Sequence, residues 1–244
     1  MRNLICIPFL LFVINGFAQN DRLNDYNYLN WVQSFNTISL NRKWSLHAEY
    51  QWRRVDGLKY WQQSLLRAGA NYTLNENISL HGGYAWVKTF PYGEHPAAGA
   101  FPEHRLYEQV SFRHPLNKWT FHHRFRIEQR WLGKIKPGTD QVEDWVFVHR
   151  FRYQFRTQYA FWTKIEKQLY GVAADEIFIG AGKNLGTNIF DQNRIFLLTG
   201  FKFNKKFSLE TGYFNQTLQQ GRRIDDKTII QRNNGWLVSS ILNL

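Results

Sequence analysis

Apolar and polar residues alternate along most of this chain. Trp44, Leu46, Ala48, Tyr50 and Trp52 fall on one side of an extended backbone, and Ser45, His47, Glu49, Gln51 and Arg53 fall on the other. The pattern returns with Trp119, Phe121, Phe125, Ile127 and Trp131 against Thr120, His122, Arg124, Arg126, Glu128 and Arg130. A third copy sets Trp145, Phe147, Phe151, Tyr153 and Phe155 against Arg150, Arg152, Gln154 and Arg156. Successive side chains of a strand point to opposite faces, so each segment has one apolar and one charged side. Strands are predicted over 28–39, 44–54, 61–73, 78–88, 104–114, 119–131, 145–160, 168–180, 191–203, 207–217 and 229–243.

A water-soluble sandwich also alternates, but three features argue for strands that cross a membrane. Aromatic residues stand at both ends of the apolar faces: Trp44, Trp52, Trp119, Trp131, Trp145 and Trp236 read as a girdle. Many segments are long, where soluble strands average about 5–6 residues and membrane strands need roughly 9–11. Trp119 and Trp131 are twelve steps apart, roughly 40 Å at about 3.3 Å per step. A tilt near 40° projects that to about 30 Å, close to an apolar band of about 25 Å with a girdle at each rim.

The connections alternate in length. Tight ones carry turn residues at Asn41-Arg42-Lys43, Asn75-Glu76-Asn77, Pro115-Leu116-Asn117-Lys118, Lys164-Ile165-Glu166-Lys167 and Asn204-Lys205-Lys206. Longer segments fall between them at 89–103, 132–144, 181–190 and 218–228. Short turns on one rim and long loops on the other are the periplasmic and extracellular ends of an outer-membrane barrel. The expectation is a closed antiparallel up-and-down transmembrane barrel of ten to twelve strands. Twelve is preferred, with a weak extra strand in 19–27, because single-chain bacterial barrels use even numbers. The last residues agree: Trp236, Val238, Leu242 and Leu244 alternate up to an apolar terminus.

Composition narrows the class. The mean hydropathy is −0.49, and after the N-terminus no run of eighteen apolar residues appears, which excludes a helical membrane protein. Aromatics make up 17% of the 244 residues. At the N-terminus, Arg2, the apolar stretch Leu4 to Ile14 and the junction Gly16-Phe17-Ala18 before Gln19 read as a cleaved signal peptide, 1–18, leaving a mature barrel of 19–244. The single cysteine, Cys6, departs with the signal, which removes disulfides, thiolate catalysis and Cys-ligated zinc from the mature chain. The formal net charge of +12 becomes +11 once Arg2 is lost. Nucleic acid is not the expected partner, because the basic residues alternate with aromatics in an exported chain.

The chain resembles an uncharacterised outer-membrane β-barrel family common in Bacteroidetes, catalogued as a domain of unknown function, DUF2490. The resemblance rests on Phe17-Ala18-Gln19, on Leu-Asn-x-Lys and Phe-Asn-Lys-Lys repeats preceding strands, on His149-Arg150-Phe151-Arg152-Tyr153 and on Asp175-Glu176. It extends through Phe190-Asp191-Gln192-Asn193-Arg194 to Gly212-Tyr213-Phe214-Asn215-Gln216. It implies a barrel in the outer membrane and brings no catalytic residues with it.

The strongest candidate site is the charged row expected to face inward: Arg124, Arg126, Glu128, Arg130, Arg150, Arg152, Arg156, Glu176, Arg194 and Glu210, with Glu49 and Asp175 as further acids. Such a row serves either as an internal ion-pair lattice or as a basic lumen selecting a small anionic solute. The lattice is preferred, since barrels of this size have little free lumen. Asp175 and Glu176 are adjacent and face opposite ways, so they share no proton site. His122 and His123 diverge for the same reason, while Glu94-His95 and Glu103-His104 flank a long loop. The same-face pairs Ser45/His47 and Ser79/His81 lack an identifiable orienting group. No metal, cofactor or catalytic residue is assigned. The expected partners are outer-membrane lipid and lipopolysaccharide and the barrel-assembly machinery. An outer-membrane enzyme acting on lipid or lipopolysaccharide is the alternative.

Overall fold

The computed structural model describes residues 22–136, 138–139, 141–185 and 188–244. The signal peptide expected at 1–18 and its cleavage junction lie outside these residues. Eleven strands are present among them: β1 (Arg22–Ser39), β2 (Trp44–Val55), β3 (Tyr60–Asn75), β4 (Ile78–Thr89), β5 (Phe101–Leu116), β6 (Trp119–Ile135), β7 (Val142–Lys164), β8 (Lys167–Ala181), β9 (Phe190–Lys202), β10 (Phe207–Ile224) and β11 (Lys227–Asn243).

Each strand pairs with its sequence neighbours, and the sheet closes where β1 meets β11. The count falls within the expected ten to twelve, one below the preferred twelve. Residues 22–27 belong to β1 rather than to a strand of their own. An odd count has a geometric consequence. In an up-and-down meander the first and eleventh strands run the same way, so the closing seam is parallel, from Arg22 opposite Thr228 to Thr37 opposite Asn243. That corrects the wholly antiparallel expectation; the other ten ladders are antiparallel.

The turns of one rim are Leu40–Lys43, Glu76-Asn77, Asn117-Lys118, Ile165-Glu166 and Phe203–Lys206. At the first and last of these, Asn41 and Asn204 accept backbone N–H groups two and three residues on. On the other rim two expected loops shrink because the strands run past them. Segment 218–228 becomes the end of β10, a two-residue turn at Asp225-Asp226 and the start of β11. Both aspartates take the left-handed backbone (φ 48° and 57°) that a tight hairpin requires.

The distribution of side chains is inside out. Twenty-three polar or charged residues are buried among the described ones, against seventeen hydrophobic residues. Every strand, meanwhile, carries large apolar side chains exposed on the outer wall, among them Leu66, Leu106, Phe125, Ile127, Phe151, Ile195 and Val238. On one side of the interior Leu29, Trp31, Tyr170, Val172, Leu198, Phe214 and Leu237 pack together as an apolar cluster, and Trp31 stacks on Phe214 at 4.0 Å.

Candidate functional site

The site is the barrel interior. All ten expected lumen residues point inward. On β6 and β7, Arg124, Arg126, Glu128 and Arg130 alternate with the outward Phe125, Ile127 and Gln129, and Arg150, Arg152 and Arg156 alternate with Phe151 and Phe155. Glu128 accepts from Arg150 Nε at 2.8 Å and from Arg152 Nη1 at 2.6 Å. Glu176 of β8 accepts from Arg152 Nη2 at 2.7 Å and from Arg124 Nη2 at 2.8 Å. Glu210 of β10 accepts from Arg156 Nη2 at 2.6 Å and from the Tyr170 hydroxyl at 2.9 Å. Several of these bonds link strands that are not neighbours in the sheet, so side chains meet across the lumen.

The lattice is larger than the sequence pattern suggested. Glu103 of β5 holds Arg105 and, from β6, Arg130. Asp191 takes a hydrogen bond from Arg150 at 2.9 Å. Glu49 of β2 pairs with Arg67 of β3, and His47 Nε2 lies 3.3 Å from the same carboxylate. Arg67 and Arg105 are harder to read from the sequence; beside Arg67 the outward residues include the small Ala68 and Ala70. The signal was present in the two-residue spacing of Glu49, Gln51 and Arg53. Asp175, a candidate for the lumen, points outward instead, where Asn193 Nδ2 donates to it at 2.6 Å; the inward place belongs to its neighbour Glu176.

A cavity of about 870 Å³ runs through this region. It extends from exposed residues of the long-loop rim, among them Lys134 and Arg222, down to Arg156 and Glu210. Eleven arginines and Lys134 line it, against the five carboxylates Glu49, Glu103, Glu176, Asp191 and Glu210. The excess is positive, and the concave, protein-lined space focuses its field.

The 90–100 loop between β4 and β5 folds over the mouth of the cavity. It reaches strands far around the ring, because Asp25 of β1 accepts the backbone N–H groups of Glu94 (3.2 Å) and His95 (3.3 Å). Tyr92 donates its hydroxyl proton to Gln231 of β11 at 2.9 Å and accepts from Gln62 and Asn233. Burial pushes the Tyr92 hydroxyl pKa above its ordinary value, although the bonds from Gln62 and Asn233 oppose the rise. Gly93 adopts φ +82°, and a Cβ there would meet Asp25 Oδ2 at 2.4 Å.

His122 and His123 diverge; His123 sits 2.9 Å from the Tyr153 hydroxyl on the outer wall. The His47 and His81 rings meet edge to face at 4.9 Å, and His81 Nε2 lies 2.9 Å from the Tyr107 hydroxyl. Ser45 accepts from Asn71, and among the described residues neither Ser45 nor Ser79 hydrogen-bonds a histidine. No group of three or more metal-ligating side chains occurs among the described residues. Trp44 and Trp119 stand on the outer wall at the short-turn rim, Trp52, Trp131 and Trp145 toward the other rim, and Trp236 midway along β11.

Fold and site together define a closed β-barrel with an apolar outer wall and an interior filled by an arginine–carboxylate lattice. Residues 29–227 match the model of a protein family of unknown function, DUF2490, and the chain belongs to that family. No curated protein and no solved structure gives a significant match to the chain.

Proposed function

We propose that this protein is a bacterial outer-membrane barrel, exported by a cleaved signal peptide, whose interior attracts and holds small anions arriving through the long-loop mouth. The observation that carries this is the inverted side-chain distribution. An unbroken ring of exposed Phe, Leu, Ile, Val and Trp is far larger than the apolar patch a water-soluble monomer tolerates, and it suits contact with hydrocarbon. Buried arginines in excess over carboxylates make the interior attractive to negative charge. The lattice lines the cavity and ties side chains together across the lumen, which suits a scaffold with a basic vestibule or a narrow conduit rather than a wide pore. Hydrolase chemistry is not proposed, because neither serine–histidine pair is hydrogen-bonded.

Protein refolded in detergent is expected to migrate differently on gels before and after boiling. In planar bilayers its reversal potential in a salt gradient is expected to favour anions, and Arg126→Gln with Arg152→Gln is expected to reduce that preference. Free solubility without detergent and unchanged migration on boiling would overturn the membrane reading. Selectivity indifferent to both substitutions would overturn the anion reading.

A further inference from the structure

The lattice leaves particular arginines without an acid. Arg194 of β9 is about nine-tenths buried and lines the cavity, yet among the described residues it forms no ion pair. Its single hydrogen bond runs from Nε to Gln192 Oε1 at 2.9 Å, which leaves both Nη groups free of protein acceptors. Arg53 of β2 is as deeply buried and is held by the neutral side chains of Gln51 and Gln63. Both guanidinium groups lie on one indole: the Arg53 carbon is 4.1 Å from the Trp31 ring centre and the Arg194 carbon 5.0 Å. The two charges are therefore no more than about 9 Å apart.

Elsewhere in the lumen carboxylates close up between arginines, as Glu128 and Glu176 do around Arg152. Two buried charges with no acid bonded to them, and the Arg194 Nη donors free, are the complement of an acidic group. Their surroundings are mixed: glutamines hold their nitrogens, and the buried Trp31 and Phe178 rings lie against the guanidinium groups themselves. Phe196 and Leu198 follow Arg194 along the same face of β9, and Leu237 faces the same cavity. An inorganic anion would leave that apolar surface without a partner. A small organic acid would engage both.

We propose that the cavity holds an amphipathic acid, its carboxylate, sulfate or phosphate group taken by Arg194 and Arg53 and its apolar body laid against Phe196 and Leu198. The proposal rests on the anion-attracting reading above and adds the ligand class and the residues that select it. Arg194 is the principal ligand-binding residue, because its two free Nη groups form the planar fork that suits a bidentate acid.

The experiment is a calorimetric titration of the folded, full-length barrel in phosphatidylcholine discs with phenyl phosphate, inorganic phosphate and benzyl alcohol. Saturable one-to-one binding of phenyl phosphate is expected, at least tenfold tighter than inorganic phosphate, with benzyl alcohol not binding. Arg194→Gln and Arg53→Gln are each expected to weaken phenyl phosphate about tenfold or more, the loss of a charge-assisted hydrogen bond. Arg194→Lys, which keeps charge but not the fork, is expected to fall between Arg194→Gln and the unaltered protein, and Arg54→Gln on the outer wall to bind normally. Retained heat-modifiable migration shows that each variant is folded.

Equal affinity for the two phosphates overturns the amphipathic part. Folded barrels that bind no phenyl phosphate, or that bind it unchanged after both glutamine substitutions, overturn the site. If anion selectivity in bilayers survives while phenyl phosphate fails to bind, the site alone has failed and the broader reading stands. Discs doped with lysophosphatidic acid separate two sources of such an acid. Displacement of phenyl phosphate identifies a membrane lipid, and undiminished binding identifies a water-borne acid.

Discussion

Arg126 and Arg152 sit directly opposite each other in the β6–β7 ladder, both pointing into the lumen. Like charges in that position repel, and the arrangement persists because Glu128 lies one diagonal step away. Its Oε1 is 2.6 Å from Arg152 and 3.7 Å from Arg126, while its other oxygen holds Arg150. The β5–β6 ladder repeats the device: Arg105 opposes Arg130, and Glu103 joins them. Removing one member of a buried ion pair costs more than the pair contributes, since the partner charge stays buried. Glu128→Gln is therefore expected to lower stability by about 3–5 kcal/mol. Combining it with Arg152→Gln is expected to cost less than the two single changes together. Urea unfolding in detergent, followed by loss of the fast-migrating gel band, measures both; additive costs would show that the carboxylate is not bridging.

The outer wall makes the opposite demand. Ile127 lies between Arg126 and Glu128 in sequence but points outward and is 42% exposed. On a wet surface Ile127→Arg would change stability by about 0.5 kcal/mol at most. On a wall in hydrocarbon the same change near the midplane costs about 2–4 kcal/mol. The larger loss is expected for protein folded into lipid vesicles, and an effect within the smaller range would argue that this face meets water.

Much of this architecture was legible in the sequence, and the gaps have physical causes. Where the outward residues are bulky, as on β6 and β7, alternation revealed strand, face and lumen charge together. It weakened toward the long-loop rim. There Gln219-Gln220-Gly221-Arg222-Arg223 is polar on both faces, so a strand that continues to Ile224 reads as a loop. The parallel seam was hidden because β1 and β11 meet only on closure, some two hundred residues apart in sequence. Arg53 and Arg194 looked like any other inward arginine. Their lack of an acid depends on which side chains of distant strands reach them, and spacing along one strand does not record that.

Gly83 shows how tightly the filled part of the lumen is built. Its missing side chain leaves room where Tyr107 of β5 reaches over β4 toward β3. A Cβ there would lie 2.3 Å from the Ala68 carbonyl oxygen and 2.7 Å from the Tyr107 hydroxyl. The first of these is backbone and cannot swing aside. Gly83→Ala is expected to destabilise the barrel by about 1–3 kcal/mol, the usual cost of overpacking. Gly82, whose nearest such neighbour is 3.8 Å away, is expected to accept alanine with little loss. Comparing the two urea midpoints checks the assignment, and equal midpoints would contradict it.

The loop across the mouth depends on a similar constraint, with a functional consequence. Asp25 collects the N–H groups of Glu94 and His95 and the amides of Asn27 and Gln231, and it is fully buried. Gly93 supports this by adopting a left-handed backbone with its Cα against the carboxylate. Gly93→Ala strains that backbone and drives a methyl group into the Asp25 oxygens, at a cost of about 1–3 kcal/mol. The loop has an alternative that the barrel wall lacks, which is to leave the mouth. The strain is therefore expected to free residues 90–100 while the strands stay paired. Amide exchange at Glu94 and His95 should accelerate, and unitary conductance in planar bilayers should rise above that of the unaltered protein. Asp25→Asn, which keeps one acceptor oxygen, should give a smaller change of the same sign. Faster exchange without a change in conductance would show that the narrowest part of the lumen lies below the loop, in the ion-pair lattice; unchanged exchange would show that Asp25 does not hold the loop in place.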